Sequence, residues 1–145
     1  MIDKVSGRSR ELFDSGYYCA ESVLLAIAEG KGIQSSLIPK IATGFCSGLS
    51  RTCSLCGAVS GAIMALNLFT GRSYPGESVE DNYAAVRKLL GMFEKKFGST
   101  NCRRLTGCDL STEEGQESFK ANNLEEQCKR YTEEAARMAM LLIEG

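Results

Sequence analysis

Apolar residues recur three and four positions apart along most of the chain, and no run alternates apolar and polar residues long enough for a strand. The pattern predicts an all-α fold, a helical bundle of about five main helices plus short helical turns. The spacing places a first helix over Asp3–Ser15, with Val5, Leu12 and Phe13 inward and Gly16 ending it. A second begins near Cys19 in CAESVLLAIAEG and buries Val23, Leu24, Ile27 and Ala28 before Gly30 and Gly32 stop it. A third, shorter helix is expected over Ser36–Thr43, with Pro39 in its first turn, where a missing N–H loses no hydrogen bond.

Residues 44–55, GFCSGLSRTCSL, interrupt the periodicity and form the most irregular stretch of the chain. A fourth helix follows over Cys56–Phe69, closed by Gly71 and Pro75. The fifth covers Val79–Phe97, with Tyr83, Val86, Leu89, Leu90, Phe93 and Phe97 on one broad face. A helical turn is expected at Cys102–Thr106. The last helix spans Leu124–Ile143, with Cys128, Tyr131, Ala135, Met138 and Leu142 inside. The polar runs DNYAAVRK and EGQESFKANNLEEQCKR read as solvated faces and connections.

A length of 145 residues with 43% hydrophobic content matches one domain, 1–145, with a single core. A net charge of −1, from 17 basic and 18 acidic residues, lacks the basic excess that nucleic acid or an anionic membrane rewards, so neither is an expected partner. The first residues, MIDKVSGRSRELF, are polar, and every apolar stretch is far shorter than a membrane span. The expectation is a cytoplasmic protein with no membrane span.

Seven cysteines and no histidine change the picture. In a reducing compartment such cysteines serve metal binding, catalysis or the core more often than permanent disulfides. Without histidine a soft-metal site rests on thiolates, which leaves zinc thiolate, an iron–sulfur cluster or thiol–disulfide chemistry. Cys19, Cys56 and Cys102 each fall in the opening turn of an expected helix. There, free N–H groups and the helix dipole favour a thiolate and lower its pKa from about 8.5.

After Cys56, the residues Gly57, Ala58, Ser60, Gly61, Ala62 and Ala65 leave much of the helix surface bare. Gly57 and Gly61 stack on one face, against which another helix backbone, a cluster or a ligand would sit. Close approach would offset the helix propensity lost, about 1 kcal/mol per glycine. Cys53-Ser54-Leu55-Cys56 has the spacing of a redox dithiol, with Cys53 exposed on the loop and Cys56 at the helix start. It lacks the strand of a thioredoxin-like βαβ unit, and no second C-x-x-C completes a zinc ribbon. GKGIQSS lacks the spacing of a phosphate loop. Arg103 and Arg104 read as surface residues whose charge would favour a thiolate at Cys102.

Together, YYCAESVLLA around Cys19, GFCSGLSRTCSLCGAVSGAIM at 44–64, FGSTNCRRL around Cys102 and the late helical Cys128 resemble the C_GCAxxG_C_C family, described as redox-active and named for its cysteine pattern. The resemblance runs from about Leu12 to Leu142 and implies a small, mostly helical protein with a four-cysteine site at Cys19, Cys56, Cys102 and Cys128. Cys46, Cys53 and Cys108 are additional to that pattern.

The first expectation is electron transfer or thiol redox through those four residues, as ligands of an iron–sulfur cluster or as paired thiols. Cys56 and Cys53 would be the reactive pair, and Gly57 and Gly61 would border a cofactor whose sulfurs accept backbone hydrogen bonds. Without metal, a reversible Cys102–Cys128 or Cys53–Cys56 disulfide would serve. The alternative, of another class, is a zinc-stabilised or metal-free structural and interaction domain whose cysteines are core or disulfide residues. The implied partners are a redox protein and, against the glycine face, a second copy of the chain as a homodimer.

Overall fold

A computed structural model describes residues 1–145, which form eight α-helical segments and no strand. Helices α1 (Ile2–Asp14) and α2 (Cys19–Gly30) keep the expected bounds to within a residue or so. Helix α2 opens at Cys19 because Glu21, one turn in, accepts a hydrogen bond from the Tyr18 N–H at 3.1 Å, and this fixes the chain at its first turn. The helix expected over Ser36–Thr43 is displaced. Residues 36–39 form a turn, and a 3-10 helix covers Lys40–Phe45. Pro39 pushes the residue before it out of the helical region, so regular structure starts only after the proline.

Of the six helical segments beyond α2, four meet expectation and two, α3 and α7, do not. Helix α3 (Cys46–Ser50) lies inside the irregular stretch. Helix α4 (Gly57–Thr70) has Cys56 as its N-cap, and α5 (Glu80–Phe97) ends at Gly98, whose φ of +86° lets its N–H reach Glu94 O at 2.7 Å. Helix α6 (Cys102–Thr106) matches the expected turn and is capped by Asn101 Oδ1, which accepts from Arg104 N–H at 3.0 Å. Helix α7 (Glu113–Ala121), capped by Thr112, occupies a run expected to be connection and buries no residue. Helix α8 (Glu125–Glu144) closes the chain.

The core lies among α2, α4 and α8, with α1 across α2 and α8 and α5 against α4 and α8. Its contacts are made largely by small and branched side chains, including Val23, Leu24, Ile27, Ala58, Val59, Ala62, Leu66, Ala135 and Ala139, all essentially without solvent exposure. The close approach promised by Gly61 is helix on helix, because a Cβ there would stand 2.6 Å from Ala20 O of α2. On α5 the inward residues are Leu89 and Phe93, and Tyr131 packs edge to face on both Phe93 and Phe97, whose own rings are tilted against each other. Tyr83, expected inside, is 53% exposed. In its place Asn82 turns toward α4 and donates to Asn67 Oδ1 (2.8 Å) and Thr70 Oγ1 (2.9 Å). No helix is long and apolar enough to cross a membrane.

Candidate functional site

Between the 3-10 helix and α4 the backbone reverses its hand. Ser47, Gly48, Leu49, Ser50 and Arg51 all have φ between 56° and 68°, a conformation costing about 1–2 kcal/mol at each residue that carries a Cβ. The turn is held by Arg51 N–H to Ser47 O (2.9 Å), Ser54 N–H to Gly48 O (2.9 Å) and Thr52 Oγ1 to Gly48 O (3.0 Å). Glycine is required at its second position, since a Cβ on Gly48 would lie 2.6 Å from Cys102 Cβ and 2.9 Å from Cys102 Sγ.

Past the turn, a single antiparallel bridge joins Leu55 to Asn101. Cys56 N–H donates to Thr100 O at 2.8 Å, and Cys102 N–H donates to Ser54 O at 2.7 Å. Two hydrogen bonds thus set the start of α4 beside the start of α6, and so Cys56 near Cys102. These are long-range contacts with no periodic signal in the sequence.

Cys19 at the start of α2, Cys56 at the cap of α4, Cys102 at the start of α6 and Cys128 in the first turn of α8 all line one cavity of about 340 Å³. Phe13, Tyr18, Leu105, Leu110, Phe119 and Tyr131 give it an apolar wall, while Arg51, Gln116, Lys120 and Glu125 add polar and charged groups. Gly57 also lines it, and a Cβ there would collide with Cys19 Sγ and lie 3.1 Å from Phe45 O. Gly61 is not on this wall, being covered by Ala20.

The three additional cysteines stand behind the wall. Cys46, Cys53 and Cys108 are buried and do not line the cavity. Cys53, expected on an exposed loop, is only 8% accessible. Its left-handed backbone turns it inward, where Sγ accepts from Leu110 N–H at 3.0 Å and donates to Cys108 O at 3.4 Å.

Burial governs the protonation of Cys56, Cys102 and Cys128. It pushes Cys56 up to about 11, although the Ala58 and Val59 N–H groups at the helix start pull the other way. Cys102 is pushed up to about 11 by burial and then by the neighbouring Cys53 thiol. Burial also raises Cys128, with the nearby Cys56 and Cys102 adding to it, and Cys46 is raised by the adjoining Cys19 thiol and by burial. The thiolates expected at the helix starts of Cys56 and Cys102 are therefore thiols at neutral pH, because desolvation outweighs the helix amides. Arg103, for its part, pairs with Asp109 at 3.4 Å on the surface.

Tested as a metal centre, the arrangement is open. No three cysteine, aspartate or glutamate side chains stand around one point at ligating distance, and all seven cysteines are free. The cavity cysteines share a wall and not a coordination sphere, so neither zinc nor an iron–sulfur cluster fits the thiols as they are placed.

The family described as "Putative redox-active protein (C_GCAxxG_C_C)" matches residues 17–142. An uncharacterized protein of Archaeoglobus fulgidus is 31% identical over 109 residues, covering 69% of this chain and 72% of that protein. No solved structure matches the chain.

Proposed function

This chain belongs to the C_GCAxxG_C_C family, and on that footing we propose that it is a thiol-based redox protein whose cavity cysteines exchange disulfides with a redox partner. The observation that carries the reading is the convergence of Cys19, Cys56, Cys102 and Cys128, from four separate segments, on one cavity large enough to admit a reacting group. Sulfur is the dominant reactive chemistry of that wall. Cys19 is the point of first attack, since it is only half-buried and sits at the end of a twelve-residue helix whose dipole supplies positive potential. Two thiols oxidised to one disulfide release two electrons and two protons, which reduce one disulfide of the partner to two thiols.

The test is a count of free thiols in denatured protein after equilibration with reduced and oxidised dithiothreitol at a series of ratios. We expect an even number of thiols to disappear and return reversibly. An unchanged count would assign the cysteines to packing. One other reading, an iron–sulfur cluster on the same four cysteines, would require the thiols to draw together from where they stand. Protein prepared without oxygen is expected to be colourless and free of iron. Stoichiometric iron with labile sulfide would overturn the thiol reading in favour of the cluster.

A further inference from the structure

Two of the cavity cysteines each have a second cysteine directly behind them. At the first, Thr43 Oγ1 donates to Glu21 Oε2 at 2.8 Å and ties the 3-10 helix to the opening turn of α2. One point, the position of a Cβ on Gly57, is in contact with Cys19 Sγ and 3.3 Å from Cys46 Cα. The Cys46 thiol donates to Ala42 O at 3.8 Å. At the second, Cys53 and Cys102 are buried in one small cluster with Cys108 and Leu110. The position of a Cβ on Gly48 is 2.9 Å from Cys102 Sγ and 3.0 Å from Cys53 Cα. In both pairs the two thiols lie within hydrogen-bonding reach of each other, the approach that closing a disulfide needs. In each pair one member lines the cavity and the other does not.

We propose that Cys46 and Cys53 are resolving thiols, which close Cys19–Cys46 and Cys53–Cys102 disulfides when the protein reacts with a small or protein disulfide. The inference rests on the thiol redox reading above and adds to it which bonds form. Cys19, giving up its proton, attacks one sulfur of R–S–S–R, so that a Cys19–S–S–R bond forms and the first RSH leaves with that proton. Cys46, losing its proton in turn, attacks the Cys19 sulfur from behind. The Cys19–Cys46 bond forms, the mixed disulfide breaks, and the second RSH leaves. Two electrons pass from the two cysteines to the two sulfurs of the oxidant, and the ledger of protons closes on two RSH. Cys102 and Cys53 react in the same order.

Resolution from behind leaves Cys56 and Cys128 as thiols on the wall. It also fastens the left-handed turn at both ends, since Cys46 precedes it and Cys53 follows it. Cys108 stays reduced, its thiol directed to Ser118 Oγ at 3.8 Å.

The test is disulfide mapping by mass spectrometry of full-length protein oxidised with glutathione disulfide and then alkylated. We expect crosslinked peptides Cys19–Cys46 and Cys53–Cys102, with Cys56, Cys108 and Cys128 alkylated. In Cys46→Ser the first crosslink should be lost and replaced by a glutathione adduct on Cys19. In Cys53→Ser the second should be replaced by an adduct on Cys102. Crosslinks confined to Cys19, Cys56, Cys102 and Cys128, with Cys46 and Cys53 alkylated, would overturn the inference and leave the thiol redox reading standing. A full complement of alkylated cysteines would overturn both. Mapping of the unsubstituted protein decides the pairing even if a serine variant does not fold.

Discussion

Gly48 and Arg51 belong to the same left-handed turn, yet substitutions at them should act in opposite directions. Gly48→Ala places a Cβ against Cys102 Cβ and within 3.0 Å of Cys53 Cα, and is expected to cost about 1–3 kcal/mol. Arg51→Gly, at an exposed residue with φ +68°, removes the Cβ penalty and should add about 1 kcal/mol. Urea midpoints of the two variants measure both, and a loss in each would contradict the backbone conformation. At this scale the sequence reveals Cys19, Cys56 and Cys102 at helix starts, because helix ends are written in local signals such as the capping Glu21 and Asn101. It conceals Cys46 and Cys53. Only one residue of the five-residue left-handed turn is glycine, so nothing marks the reversal that turns Cys53 inward, and an irregular loop reads as an exposed one.

Among the elements, α6 is short and depends on its cap. Asn101 accepts from Arg104 N–H and forms the bridge to Leu55. Asn101→Ala is expected to cost about 1 kcal/mol and to speed alkylation of Cys102, which begins the helix, whereas Asn101→Asp keeps the acceptor and should behave as the parent. Denaturation together with peptide-resolved alkylation rates tests this, and an alanine variant unchanged in both would remove α6 as the support of Cys102. The α2 and α6 boundaries are legible for the reason just given, and the long faces of α4 and α8 through their periodicity. Helix α7 is not, since a helix that buries nothing has no apolar stripe. The segment after Gly32 is misplaced because Pro39 fits the first turn of a helix on paper while its ring bars the residue before it.

For the molecule as a whole, the buried thiols set an alkaline limit. Cys56 and Cys102 are held near 11, against about 8.5 for an exposed thiol. Between those values the native chain binds more protons than the unfolded one, so stability falls as pH rises. The contribution is complete below about pH 8.5 and is lost by about pH 11, at roughly 1.4 kcal/mol per pH unit for each group as an upper value. Melting temperature should be level from pH 7 to 8.5 and then drop, and Cys56→Ala should flatten the descent. A wild-type curve with no such drop would contradict the burial of these thiols. The cavity is also uneven in compliance. One side is formed by the starts of α2 and α4, where glycine brings backbone onto sulfur and nothing yields. The opposite side takes Gln116, Phe119 and Lys120 from α7, an element with no fully buried residue of its own. Displacing it disturbs little buried surface, so a bulky disulfide can enter by moving the soft wall while the rigid wall holds the sulfurs in register.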